Sequence, residues 1–260
     1  MKQRLFAAAA VIAVIVGIAV VYSRQSSGQQ SAPPVQRQQV NVVRVKPDMI
    51  DTWIDFQVQR TIPALKKAGV VQREAYQAAY GPLGEFRLVT PIAKFADRDN
   101  PGVIERALGA AGAKEYNDAL RKMIASQTTY VIQRIADASF DPTPDATFNV
   151  LVLSTNHVAP GRTGEYLNVL KNDLLPVQKK GQVKRFTVSQ VIFGGDPNEY
   201  RTATFVDNFA ALDAGPAAIR VLGAEGAAKL QEKTSGIVTS VQRGVYLRND
   251  QLSFRTRPTS

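Results

Sequence analysis

The sequence predicts an α+β fold made of two tandem β-α-β-β-α-β units whose sheets pack face to face. The first observation behind this prediction is an internal duplication. Residues 85–140, shifted by 114 positions onto residues 199–254, match at 17 of 56 positions. Chains of average composition would match at only about three or four, so the chain contains a repeat. The second observation is the order of strand and helix patterns, which is the same in both copies.

The first copy, residues 40–140, opens with a short β-branched run that is typical of a strand. The helix after it is predicted to be capped by Asp48 and to end in a cationic turn before Gly69. Two strands around a hairpin-length loop, a second helix and a fourth strand follow. The predicted elements are strand 40–45, helix 48–69, strands 70–80 and 85–96, helix 106–125 and strand 127–135.

The second copy, residues 147–254, repeats this order. Pro63 and Pro176 are equivalent at a shift of 113 and predict a bend in the first helix of each copy. Residues 141–146 are expected to link the copies, and residues 255–260 to form a loose tail. The predicted elements are strand 148–153, loop 154–162, a helix from residue 163, strands 183–193 and 199–210, helix 224–237 and strand 241–248.

The order of elements is that of the ferredoxin-like unit. The strands are apolar on both faces, as where Phe86 and Leu88 alternate with Val89, so each sheet needs a second sheet to cover it. With the Leu-Gly-x-x-Gly motif at 108–112 and 222–226, the chain resembles the dimeric α+β barrel superfamily and, within it, the NIPSNAP-like proteins. The resemblance implies that one chain forms a pseudo-dimeric barrel, with further self-association left open.

The glycines of that motif are expected to have a structural role. Gly109 and Gly112, like Gly223 and Gly226, flank the start of the last helix, where glycine is costly by about 1 kcal/mol relative to alanine. Their retention in both copies predicts either a positive φ or a close backbone approach. A phosphate-binding loop is the alternative, but such loops follow a strand directly and supply a Lys-Ser/Thr pair.

The N-terminus predicts a membrane anchor or a signal peptide at residues 1–23. Lys2 and Arg4 precede an uncharged run from residue 5 to residue 22, which is close to the length of a spanning helix. No clear cleavage site follows, so an uncleaved anchor is favoured, with the remainder outside the cytoplasm. Residues 24–39 are rich in Ser, Gln and Pro and are expected to be a disordered linker.

The positive charge does not indicate a nucleic-acid partner. The net charge of the whole chain is +10, but residues 40–260 hold 28 basic and 22 acidic residues, an excess of only +6. Nucleic-acid binding would require a basic stripe with interleaved aromatic residues. The cluster formed by Lys179, Lys180, Lys184 and Arg185 is instead expected to be a solvated face or to be mildly attracted to anionic lipid.

No cofactor or metal is predicted. The chain has no cysteine, and its only histidine, His157, is expected in a surface loop. The candidate ligand-binding residues are Asn41, Trp53, Tyr76, Arg87, Tyr166 and Arg201. Resemblance to the cofactor-free monooxygenases of the superfamily implies that the first four surround an aromatic substrate. The competing interpretation is that Trp53 belongs to the core, and that Glu85–Arg87 and Glu199–Arg201 are cross-strand ion pairs.

The leading functional hypothesis is a non-catalytic small-molecule-binding or interaction module, tethered to a membrane or secreted. The alternative is a cofactor-independent enzyme, of monooxygenase or isomerase type, acting on an apolar or aromatic small molecule. A cavity lined by Trp53, Tyr76 and an arginine would favour the enzyme. A cavity of about 300 Å³ or more beneath the first helix of either copy would be of ordinary ligand size.

Overall fold

Each copy of the repeat folds into a four-stranded antiparallel sheet that carries its helices on one face. The computed structural model describes residues 36–143 and 146–256. In the first copy the elements are β1 (Arg37–Val45), α1 (Ile50–Phe56), α2 (Ile62–Lys67), β2 (Gln72–Tyr80), β3 (Glu85–Ile92), α3 (Val103–Met123) and β4 (Ile124–Arg134). In the second copy they are β5 (Val150–Val158), α4 (Thr163–Val169), α5 (Leu175–Lys180), β6 (Arg185–Phe193), β7 (Glu199–Val206), α6 (Ala210–Asp213), α7 (Ala217–Glu232), β8 (Val238–Arg248) and β9 (Phe254–Arg255).

The two sheets join edge to edge and close an eight-stranded barrel. The hydrogen-bonded order is β2-β3-β1-β4 in the first copy and β6-β7-β5-β8 in the second. Strand β4 pairs with β6, and β8 pairs with β2, so the order returns to its start. Closure leaves no free edge among these eight strands. The predicted fold class, a pseudo-dimeric α+β barrel built by one chain, is therefore confirmed.

An aromatic pair lies at each seam between the copies. Tyr80 contacts Phe209, with ring centroids 6.1 Å apart, and Phe95 contacts Phe193 at 5.5 Å. Tyr80 and Phe193 are equivalent in the repeat, as are Phe95 and Phe209, so each pair joins residues of different copies. Edge-to-face aromatic pairs of this kind add to the stability that comes from buried area. The seams are therefore held by side chains as well as by strand pairing.

Side chains alternate between the barrel interior and the face covered by helices. On β3, Phe86 is fully buried against Trp53 of α1, with ring centroids 4.5 Å apart. The next residue, Arg87, lies on the other face, which it shares with its cross-strand partner Tyr76. This alternation produces a helix-covered core in each copy and a separate core inside the barrel.

A π-helical turn precedes the proline in the first helix of each copy. The turns are Gln57–Thr61 before Pro63 and Leu170–Leu174 before Pro176. Proline lacks an N–H group, and its ring collides with the carbonyl one turn earlier. A wider turn makes room for the ring. The disturbance that the sequence predicted at these prolines therefore takes the form of a π turn.

Several element boundaries differ from the prediction. Strand β1 begins at Arg37, so the end of the predicted linker belongs to the sheet. Met49 rather than Asp48 precedes α1, because a 3-10 turn comes first. Strand β5 continues to Val158, so His157 lies on a strand and not in a loop. Phe254–Arg255 forms β9 on β2, so Arg255 is not part of a loose tail.

The predicted anchor at residues 1–23, most of the predicted linker and the last four residues lie outside the described residues. Part of the link between the copies, at 144–145, is also outside them. Among the helices of residues 36–143 and 146–256, none is long and apolar enough to cross a membrane.

Gly109 and Gly223 interrupt α3 and α7 at equivalent positions. Their backbone angles are φ 73° and ψ 171° for Gly109, and φ 70° and ψ 175° for Gly223. This region is essentially restricted to glycine. A close approach occurs three residues later, since a Cβ on Gly112 would lie 2.9 Å from that of Leu108. The positive φ that the sequence offered as a reason for retaining these glycines is therefore present at Gly109 and Gly223. The contact at Gly112 is with a side-chain atom of the same segment and not with a neighbouring backbone.

The Gly109→Ala variant is expected to lower the free energy of unfolding by about 1–3 kcal/mol. An added Cβ would meet no atom within 4 Å, so the loss would come from backbone strain alone. Chemical denaturation of the full chain measures it. Gly164→Ala is the matched control, because its Cβ also meets nothing and its φ is not positive. An unchanged stability for Gly109→Ala would contradict the structural role.

Candidate functional site

A cavity of about 80 Å³ lies inside the barrel, between the sheets of the two copies. Side chains from both copies line it, and most of them are apolar. Two arginines at equivalent positions of the repeat, Arg87 and Arg201, are its charged residues. The lining residues are Gln38, Val40, Arg87, Val89, Tyr130, Ile132, Leu151, Leu153, Thr187, Ser189, Arg201, Ala203 and Phe205.

Arg87 is fully engaged by neighbouring side chains. Its Nε and Nη2 contact Oε1 of Glu85 at 3.1 and 2.9 Å, and its Nη1 donates to the hydroxyl of Tyr130 at 3.0 Å. Its guanidinium also lies over the ring of Tyr246, 4.8 Å from the centroid. Tyr246 in turn donates to Glu85 at 2.9 Å. All three guanidinium nitrogens of Arg87 therefore have partners.

Arg201 has fewer partners than its equivalent. Its Nη2 forms an ion pair with Glu199, and its guanidinium stacks 4.2 Å from the ring centroid of Tyr130. Its Nε and Nη1 are buried and have no hydrogen-bond partner among the described residues. A buried donor without a partner costs about 1–3 kcal/mol, more for a charged group. An acceptor supplied from the cavity would remove this cost.

The aromatic groups around the two arginines stay neutral at physiological pH. Burial raises the pKa of Tyr130 above its ordinary value, although Arg201 and Arg87 act in the opposite direction. Burial also raises the pKa of Tyr246. Burial alone would lower the pKa of Arg87, but Tyr130, Tyr246 and Glu85 raise it. The phenols next to the guanidinium groups of Arg87 and Arg201 are therefore neutral.

The structure separates the six candidate residues of the sequence analysis. Arg87, Arg201 and Tyr76 face the barrel interior. Trp53 and Tyr166 lie at equivalent positions in the two helix-covered cores. Asn41 is directly opposite Leu88 on β3 and shares its helix-covered face. Trp53 and Asn41 are therefore on the other side of the sheet from Arg87, and the four residues implied by the resemblance do not surround one space.

The two Glu–Arg motifs are ion pairs, but along a strand and not across strands. Glu85 and Arg87 belong to β3, and Glu199 and Arg201 belong to β7. His157 of β5 is near the second pair, with its Nε2 3.8 Å from Glu199 and its Nδ1 3.4 Å from Asp196. Within residues 36–143 and 146–256, no three His, Cys, Asp or Glu side chains are placed to hold a metal ion.

The sequence analysis missed Tyr130, which lies between the two arginines. It also missed the apolar wall formed by Leu151, Leu153 and Phe205. A signal for Tyr130 was present, because its equivalent in the second copy is Gly244. Differences between the copies at interior strand positions could have identified it.

Comparison with known proteins identifies the fold. No family model matches the chain, and no curated protein sequence matches it. The barrel is nevertheless similar to solved structures. The chain has the fold of the dimeric α+β barrels. A candidate monooxygenase from Lactobacillus acidophilus NCFM matches with a TM-score of 0.53 and 13% identity, over 86% of this chain and 100% of that one.

Two further α+β barrels match to a similar extent. A candidate monooxygenase from Fusobacterium nucleatum has a TM-score of 0.55 and 11% identity, over 86% of this chain and 99% of that one. An anthrone oxidase-like protein has a TM-score of 0.56 and 11% identity, over 85% of this chain and 93% of that one. At these identities the likeness applies to the fold alone.

Proposed function

We propose that this chain is a small-molecule-binding protein whose site is the cavity inside the barrel. The observation that carries the proposal is the pair of buried donors on Arg201, Nε and Nη1, which have no partner among the described residues. They belong to a residue that lines a largely apolar cavity. A few polar groups in an otherwise apolar enclosure are the usual composition of a ligand site.

The volume of the cavity limits the ligand to a small molecule. A buried water needs roughly 10–15 Å³ of such space, so 80 Å³ holds about five to eight waters. This volume is below the usual range of about 300–1,000 Å³ for ligand pockets. A single ring with one polar substituent is the scale that fits.

The Ala203→Leu variant is expected to abolish binding without loss of stability. Ala203 lines the cavity, and its equivalent in the first copy is the larger Val89. Filling a cavity commonly adds about 0.5–2 kcal/mol of stability, so the unfolding temperature should be unchanged or higher. Saturation-transfer NMR of the full chain with toluene, acetophenone and benzoate, each added separately, measures the binding.

Ala203→Ser is the matched control, since it hardly changes the volume and should retain binding. The proposal is contradicted if none of the three probes binds the unaltered chain. It is also contradicted if Ala203→Leu binds them as the unaltered chain does.

The alternative is a cofactor-independent enzyme of monooxygenase or isomerase type. One observation favours it: free donors on Arg201 could stabilise an oxyanion that develops on a bound carbonyl. Two of the similar structures carry monooxygenase names and one is anthrone oxidase-like. Oxygen uptake with a single-ring phenol, above the uncatalysed rate, would favour this alternative. Anthrone, a three-ring molecule, is larger than the cavity, so the binding function is the better supported of the two.

We propose that the barrel lies outside the cytoplasm. Residues 1–23 would tether the barrel to a membrane. We also propose that the chain is related to the NIPSNAP-like proteins. A role as an interaction module, in which the protein associates with further copies of itself, is proposed as well.

A further inference from the structure

We infer that the ligand is an electrically neutral molecule with an acceptor oxygen, such as a ketone, and that Arg201 holds this oxygen. The inference rests on the proposed function of the barrel cavity and specifies the class of its ligand. Two observations carry it: the missing side chain opposite Arg201 and the charge balance of the cavity wall.

The missing side chain is that of Gly244. In the first copy, Nη1 of Arg87 donates to the hydroxyl of Tyr130. The equivalent of Tyr130 in the second copy is Gly244, so Arg201 has no corresponding hydroxyl. Tyr246 occupies the space beside Gly244, because a Cβ added there would lie 2.9 Å from its ring. Arg201 therefore lacks one acceptor that the repeat supplies to Arg87.

Because Tyr130 has no equivalent tyrosine in the second copy, the pseudo-symmetric barrel contains one such site and not two. Tyr130 lies between the two guanidinium groups. Its hydroxyl accepts a hydrogen bond from Arg87, and the face of its ring stacks against Arg201. A ligand oxygen next to Arg201 would take the place of the absent tyrosine hydroxyl. Its apolar part would rest on Leu153 and Phe205, which line the same cavity.

The charge balance favours a neutral ligand. Arg87 and Arg201 are the charged residues of the cavity lining, and each is already paired with a glutamate of its own strand. The two pairs sum to zero. A carboxylate would add an uncompensated charge to a buried site, where removing that charge from water is costly. A neutral oxygen gains a hydrogen bond to a charged donor without this cost, so the neutral ligand is the more stable choice.

Three probes of similar size test the inference on the unaltered full chain. Acetophenone and benzoate have the same number of non-hydrogen atoms and differ in charge, and toluene has no oxygen. We expect acetophenone to bind at least tenfold more tightly than either of the others. We also expect it to shift the Nε–H resonance of Arg201 in ¹⁵N-resolved NMR spectra.

The resonance of Arg201 is identified by its disappearance in the Arg201→Lys variant. The same variant should bind acetophenone at least tenfold more weakly and should bind toluene with little change. Arg106→Lys is the control, because Arg106 donates to the carbonyl of Pro101 outside the cavity, at 2.7 Å. The comparison of probes needs no variant, so a folding defect in Arg201→Lys would not weaken it.

Each outcome has a definite meaning. Benzoate binding as tightly as acetophenone, or more tightly, would overturn the inference and leave the proposed function intact. Toluene binding equally well would do the same, since it would show that the donors of Arg201 are not used. Failure of all three probes would overturn the proposed function as well.

Discussion

Arg73→Ala is expected to lower the free energy of unfolding by about 3–5 kcal/mol, from two unsatisfied acceptors and a cavity. Arg73 is only 2% exposed, beneath the first helix of the first copy. Its Nε donates to the carbonyl of Leu252 at 2.8 Å, and its Nη1 donates to Gln57 at 3.0 Å. Burial lowers the pKa of Arg73 to about 10, so the residue still carries its charge at neutral pH. Chemical denaturation of the full chain measures the loss.

The second copy shows how to replace this polar cluster. Thr61 and Tyr116 complete the cluster in the first copy, with their hydroxyls 2.9 Å apart. The second copy is apolar at all four positions. Its residues there are Leu170 for Gln57, Leu174 for Thr61, Phe186 for Arg73 and Leu230 for Tyr116.

The fourfold variant that carries the second copy's residues should regain most of the stability that Arg73→Ala loses, and the remaining loss should come from the carbonyl of Leu252, which still lacks its donor. Replacing a buried polar network by hydrophobic residues of similar volume is often neutral or stabilising, whereas removal of one partner is costly. A fourfold variant as unstable as Arg73→Ala would contradict this explanation of the loss.

Gly194→Ala is expected to cost about 3 kcal/mol or more, because it combines backbone strain of about 1–2 kcal/mol with a steric collision. Gly194 has a φ of 80°, in the turn between β6 and β7. A Cβ there would lie 2.5 Å from the carbonyl oxygen of Thr129 on β4. The contact joins the two copies at one seam, so the substitution would force the strands of that seam apart.

Gly215→Ala is the control for Gly194→Ala. Gly215 has a similar φ of 76°, and a Cβ there would meet nothing within 4 Å. The stability that Gly215→Ala loses should therefore come from backbone strain alone. Thermal unfolding of both variants measures the difference. Equal losses would show that the approach of the two copies at this seam does not require a glycine.

The fold could be predicted because its signals are local and occur twice. The duplication and the spacing of apolar residues identify the strands and helices without knowledge of their partners. The length of β5 could not be predicted in this way. Its last residues, including Asn156 and His157, are polar and typical of a loop, but β7 and β8 pair with them on both sides. Strand pairing outweighs their low β-propensity.

The site could be predicted only in part, because its assembly depends on contacts between the copies. Arg87 and Arg201 were selected from the repeat, and both line the cavity. Trp53 was grouped with Arg87, but the helix that carries Trp53 covers the opposite face of the sheet. The closing pairs of the barrel, β4–β6 and β8–β2, decide which residues meet in the interior, and a single strand pattern does not contain that information.

A crystal structure of the full chain with acetophenone would show whether the barrel cavity is the ligand site. We expect density for the ligand inside the barrel, with its oxygen within hydrogen-bond distance of Nε or Nη1 of Arg201 and its ring against Leu153 and Phe205. Ligand density only outside the barrel, for example in the open cleft beside Arg220 and Lys180, would contradict it.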